Sequence, residues 1–166
     1  MSSDSVTVVL AAGASTRMKS SRSKLLHEVL GRPIVHWALD QALWAAEKVV
    51  FVVGHQREDV MAALEPALAT TTIRFAVQSE QKGTGHAVQC ALSEIDDLLP
   101  TGGNVFIMGG DAFLLQHQTL ENFRRAHLSS KAALSLMTYN LAFPGAYGRI
   151  IRNADGMIER DRKSTR

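Results

Sequence analysis

A single cysteine, Cys90, in a chain of 166 residues excludes an internal disulfide framework and makes a reducing compartment, the cytoplasm, the expected location. Flanked by Ala87, Val88, Ala91 and Leu92, it reads as a small buried hydrophobe rather than a reactive thiol. No run is long or apolar enough for a membrane span or signal peptide. The formal charge is only +2, short of the concentrated basic face that nucleic-acid binding needs, so neither a membrane nor a nucleic acid is an expected partner. The six histidines lack the spacing of a zinc site, "HEVLG" lacks the second histidine of a metalloprotease helix, and no Gly-x-Ser-x-Gly elbow supports a serine triad. Internal repeats, low-complexity segments and linkers are also missing. With 46% hydrophobic residues, one domain over residues 1–166 is expected.

What is present alternates. Val6 to Ala11 is short, β-branched and closed by a glycine, which suits a strand buried on both faces. Val49 to Val53, Ile73 to Val77 and Val105 to Met108 resemble it, and Ala133 to Tyr139 reads as a fifth strand. Pro33 is placed to open a helix in which Val35, Ala38, Leu39, Ala42, Leu43 and Ala46 form a buried stripe, with Trp37 and Trp44 packing beside it. Further helices are expected at 57–64, 85–92 and 119–127, and the final "RDRKSTR" reads as a frayed end. This alternation predicts an α/β fold, Rossmann-like, with a mainly parallel sheet covered by helices on both faces and ligands bound beyond the carboxyl ends of its strands.

The stretch "LAAGASTRMKSSRSK", Leu10 to Lys24, carries the clearest chemistry. Gly13, Ala14 and Ser15 have almost no side chain, so backbone N–H groups there can approach a ligand closely. Arg17, Lys19, Arg22 and Lys24 follow, with no acid between Asp4 and Glu28 to neutralise them, a field that attracts a polyanion. Its position directly after the first strand favours a phosphate loop over a basic solvated one. It is neither a Walker loop nor the dinucleotide fingerprint, since no Gly-Lys-Ser/Thr closes it and Ser15 stands where the second glycine is needed. Farther along, "QKGTGHA" reads as a glycine-bracketed turn opening a helix, with Thr84 as its N-cap. Asp111 follows a buried strand and two glycines; a turn-forming aspartate and a hard oxygen ligand for Mg²⁺ are both open there on the residues alone.

"LAAGASTRM" followed by "SKLLH" resembles the signature of the sugar-phosphate nucleotidyltransferases, Leu-Ala-Ala-Gly-x-Gly-Thr-Arg-Met followed by Pro-Lys. "QSEQKGTGHAV" is similar to the uracil-reading segment of the N-acetylglucosamine-1-phosphate uridyltransferases, the amino-terminal half of a bifunctional bacterial enzyme. "GGDAFLL" and "AYGRIIRNADG" resemble that family's Tyr-Gly-Asp-x-Pro-Leu and Gly-Tyr-Gly-Arg-Ile segments, in the family's order. The resemblance implies the nucleotide-diphospho-sugar transferase fold and the reaction of UTP with N-acetylglucosamine 1-phosphate. It implies nucleotide contacts from Leu10, Ala11, Ala12, Gly13, Gln78, Gly83 and Thr84, with Gln81 either matching the family or facing solvent. Arg17 and Lys24 would hold the triphosphate, Asp111 would bind Mg²⁺, and Gly148 and Glu159 would contact the sugar.

Departures accompany the match. Ser15 replaces the second glycine, Ser23 the proline before Lys24, and Phe113 the proline after Asp111. The family's second Mg²⁺ ligand, its oligomerising arm and its acetyltransferase domain lie beyond this sequence, so a domain lacking its carboxyl-terminal part is expected, from a homo-oligomeric parent. Two alternatives stand beside the uridyltransferase. One is a non-catalytic nucleotide-binding remnant; the other is a cytidylyltransferase of the molybdopterin type, favoured by Ser15 and disfavoured by "GTGHAV".

Overall fold

The amino-terminal apolar run forms β1 (Ser5–Leu10), and a 3₁₀ turn, Lys24–Leu26, follows it in the computed structural model. Residues 5–13, 18, 20, 22–143, 145 and 147–162 are described, without the side chains of 161 and 162. Next come a small hairpin, β2 (Glu28–Val29) with β3 (Arg32–Pro33), and helix α1 (Ile34–Ala45). The chain continues through β4 (Lys48–Val53), α2 (Arg57–Leu64), β5 (Thr72–Val77), α3 (Thr84–Cys90), α4 (Leu92–Leu98) and β6 (Asn104–Gly109). Helix α5 (His117–Ser130) and a hairpin of β7 (Arg149–Arg152) with β8 (Ile158–Arg162) complete it. These elements form two units, Met1–Asn122 and Phe123–Arg166, and the division falls within α5.

The first unit holds a parallel sheet of order β5-β4-β1-β6. Successive strand residues point to opposite faces, and both faces of β4 are fully buried, which is why it reads as an unbroken apolar run. Val9, Val49, Phe51, Val53 and Ile73 pack against α1, α2, Leu25 and Leu26 on one face. Val6, Val8, Val50, Val52 and Ala76 pack against α3 and α4 on the other. The expected two-faced α/β architecture is what forms. A hydrogen bond across the first layer, from the buried Thr7 hydroxyl to the Ala42 carbonyl at 2.9 Å, ties β1 to α1. From β1 the chain builds outward through β4 to β5, then returns to place β6 on the other side of β1. The carboxyl ends of β1 and β6 therefore flank a topological switch point.

Several local expectations are corrected. Pro33 is the last residue of β3, extended at ψ 140°, and the helix starts one residue later. Cys90 is half-buried at the end of α3, not a core residue. Residues 133–139 form no strand: Leu134, Leu136 and Tyr139 are exposed and no ladder partner exists among the described residues, and strand propensity is realised only against neighbours that pack on it. Residues 160–162 of the expected frayed end are paired in β8. The tryptophans do pack, Trp37 donating to the Val29 carbonyl at 3.1 Å and Trp44 stacking on His117 at 4.8 Å.

Candidate functional site

Beyond Leu10 the chain leaves β1 still pinned to the sheet, the Ala11 N–H donating to the Val52 carbonyl at 2.8 Å. Ala12 is buried beneath the end of β4: a Cβ on Gly54 would lie 2.9 Å from the Ala12 Cβ and 3.0 Å from its carbonyl oxygen. Only glycine at 54 lets the two strand ends lie this close. At Gly13 the opposite holds, since a Cβ there would meet nothing within 4 Å and the residue is exposed. Arg17 lies outside the described residues, as do Ser15 and Lys19.

Lys24 and Asp111, 87 residues apart, meet here. The Lys24 Nζ donates to Asp111 Oδ2 at 2.6 Å, a short charge-assisted contact. Each partner is placed by its neighbours. Leu25 and Leu26 are buried in the core beside α1 and α2, so the 3₁₀ turn that begins at Lys24 is anchored while the lysine itself reaches outward. Past β6, the Gly110 N–H donates to the Leu10 carbonyl at 3.0 Å, and a Cβ on Gly110 would lie 3.1 Å from Leu25 Cδ2. A Cβ on Gly109 would lie 2.8 Å from Asp111 Oδ1. The two glycines draw the Asp111 loop onto the end of β1 and leave its carboxylate room.

The segment after β5 closes the same end of the sheet. Gln78 is buried, and its backbone N–H donates to the Val53 carbonyl at 2.8 Å. Its side-chain Nε2 donates to the Gly83 carbonyl and to His86 Nδ1, both at 3.0 Å. Gly83, at φ +100°, occupies the cap position of α3, a conformation that favours glycine. Thr84 is therefore the first helical residue, and no side chain caps the helix, contrary to the expectation for its hydroxyl. Gln81, itself exposed, donates from Nε2 to the Ala12 carbonyl at 2.8 Å, which binds this segment to the end of β1. Gly54, His55, Gln56, Val77, Gln78 and Gln81 line an open cavity of about 740 Å³, within the range that holds a small organic ligand.

The structure brings together Leu10, Ala11, Ala12, Lys24, Gln81, Gly110 and Asp111, with Gln78 and Gly83 beside them. Gly148 and Glu159 belong to the second unit. Gly148 precedes β7 in a loop held by the Arg149 guanidinium, which donates to the carbonyls of Tyr147 at 2.7 Å and Gly145 at 3.2 Å. Glu159 falls in a bulge of β8, between the Ile151–Arg160 and Arg152–Ile158 pairs, whereas Arg149, next to Gly148, pairs with Arg162. The two residues are therefore not opposite one another. Gly54 escaped the sequence reading because a glycine after a strand announces a turn and not what passes over it. His86 escaped because its role depends on where Gln78 points.

The profile of the MobA-like NTP transferase domain matches residues 7–154. The chain is 47% identical over 150 residues to the bifunctional protein GlmU of Anaeromyxobacter sp. (strain K), covering 90% of this chain and 30% of that protein. It is 45% identical over 153 residues to the GlmU of Cutibacterium acnes, covering 91% and 35%. It thus spans about a third of the length of the curated relatives it matches. Among solved structures, HddC from Yersinia pseudotuberculosis complexed with GMP-PN superposes with a TM-score of 0.67 at 16% identity, covering 98% of this chain and 70% of that one. A UDP-glucose pyrophosphorylase complexed with UDP-glucose gives 0.59 at 17% identity, covering 77% and 54%. Both share the fold.

Proposed function

Because the chain belongs to the MobA-like NTP transferase domains, we propose that it performs the uridylyl transfer of its bifunctional relatives, forming UDP-N-acetylglucosamine and pyrophosphate from UTP and N-acetylglucosamine 1-phosphate. The observation that carries this reading is the meeting of Lys24 with Asp111 at the switch point, near the end of β1 where Gly13 is exposed. A phosphate oxygen of the sugar phosphate bonds to the α-phosphorus of UTP while the bond to the bridging oxygen breaks and pyrophosphate leaves. The attacking oxygen is already an anion, so no protein base is needed. Alignment and relief of repulsion between two anions are what the residues must supply.

Lys24, with Arg17, holds the triphosphate and stabilises charge on the transferred and leaving groups. Gln78, Gly83 and Thr84 present the end of β5 and the start of α3 to uracil, and the cavity bounded by Gln78 and Gln81 has room for the base. Gly148 and Glu159 serve the sugar. Among the described residues no three metal-ligating side chains cluster, but Mg²⁺ shared with phosphates needs only one or two carboxylates, and the half-exposed Asp111 fits that requirement. When bound, Mg²⁺ would neutralise the phosphates at Asp111. Among the described residues no helix is long and apolar enough to cross a membrane.

The test is pyrophosphate release by the purified chain given UTP, N-acetylglucosamine 1-phosphate and Mg²⁺, with UTP binding measured on the same sample. Release that depends on the sugar phosphate is expected. Binding without release would confine the chain to nucleotide binding, and no UTP binding would overturn the reading.

A further inference from the structure

The hydrogen-bond direction around Gln78 can be read without ambiguity. A backbone carbonyl only accepts, so the Gln78 atom 3.0 Å from the Gly83 oxygen must be the amide nitrogen. That nitrogen also lies 3.0 Å from His86 Nδ1, so Nδ1 is the acceptor and the imidazole, neutral, carries its proton on Nε2. Nε2 lies 3.8 Å from the Cys90 sulfur, one turn along α3, a suitable acceptor for that proton. Both amide hydrogens of Gln78 are then engaged, and its backbone N–H is held by Val53. The side-chain atom left for a ligand is the carbonyl oxygen, on a residue that is 5% exposed and lines the cavity.

From this we infer that His86 is a positioning residue for base choice: by accepting from the Gln78 amide it presents the Gln78 carbonyl to the nucleobase, and so selects a base edge that donates an N–H. Uracil offers N3–H at that edge, while cytosine offers the N3 lone pair, which a carbonyl repels. One acceptor, Gly83, fixes the position of the amide; two acceptors fix its plane. Without His86 the second amide hydrogen is left unpaired in a part-buried site, and the amide turns to satisfy it. The inference rests on the reading of Gln78 as a base contact.

The experiment compares UTP and CTP binding to the wild-type chain, His86→Leu and His86→Asn, alongside the imidazole tautomer from long-range proton–nitrogen NMR spectra of the wild type. Asparagine places an acceptor near the position of Nδ1, so it is the conservative rescue. His86→Leu should reduce the UTP-over-CTP preference about tenfold, the scale of one lost buried hydrogen bond. His86→Asn should keep it within about threefold, and the spectra should show the proton on Nε2. An unchanged preference in His86→Leu, or a proton on Nδ1, overturns the role of His86 while UTP binding by the wild type stands. If His86→Leu does not fold, the tautomer and His86→Asn decide. A wild-type chain with no preference for UTP overturns the uracil reading itself, and this inference with it.

Discussion

On the proposed function, the 2.6 Å contact of Lys24 with Asp111 serves catalysis more than folding, because both side chains are substantially exposed and exposed pairs contribute about 0–1 kcal/mol. Lys24→Ala is therefore expected to lower kcat by about 100-fold or more, as for other groups that stabilise transition-state charge. Denaturant unfolding of the same variant should shift by under about 1 kcal/mol. Turnover at the wild-type level would remove Lys24 from the mechanism. Gly54 behaves in the opposite way. Gly54→Ala sets a methyl against the Cβ and carbonyl oxygen of Ala12 at about 3 Å, and should destabilise the chain by about 1–3 kcal/mol while disturbing the loop after β1. Unfolding in urea measures it, and an unchanged midpoint would contradict the packing described. Lys24 and Asp111 were legible in the sequence because cations without acids and a carboxylate behind two glycines are chemical signals. Gly54 carries no such signal, since its necessity lies in Ala12, 42 positions earlier in the chain.

Among the elements, the central strands β1 and β4 were legible because they are buried on both faces, and that burial writes itself as an apolar run. Segment 133–139, ALSLMTY, is also largely apolar but lacks Val and Ile and has no ladder among the described residues, so apolarity alone misled. Caps were less visible: the start of α3 depends on Gly83 at φ +100°, a backbone property that a neighbouring threonine disguises. The β2–β3 hairpin shows another cost hidden from composition. Its two-residue turn puts Leu30 at φ +54° and Gly31 at φ +73°, both left-handed, and Leu30 is 90% exposed. A tight turn of this kind prefers Asn-Gly, because asparagine tolerates the left-handed region and leucine does not. Leu30→Asn should raise unfolding free energy by about 0.5–1 kcal/mol without touching turnover. Thermal melts check this, and a lower midpoint would argue against the turn geometry.

At the scale of the whole molecule, β6 is the edge of the parallel sheet among the described residues, with Val105 and Ile107 each about half exposed on one of its faces. An open edge beside exposed apolar side chains favours self-association. The apparent mass in sedimentation should rise with concentration, and Ile107→Lys should reduce that rise; identical behaviour of the variant would show that the edge is not responsible. The Lys24–Asp111 contact has a different consequence at this scale. The ammonium proposed to hold phosphate already shares its charge with the carboxylate proposed to hold Mg²⁺. Nucleotide arriving without a divalent cation must compete with an internal rival. Substituting that rival away, by Asp111→Ala in the presence of a chelator, should tighten UTP binding severalfold even though the reaction is lost, a gain in affinity from removing the proposed metal ligand. Isothermal titration decides it: equal or weaker metal-free binding by Asp111→Ala would mean that the aspartate guards nothing, and tighter binding would make this carboxylate the lock that keeps the cleft selective for nucleotide and metal together.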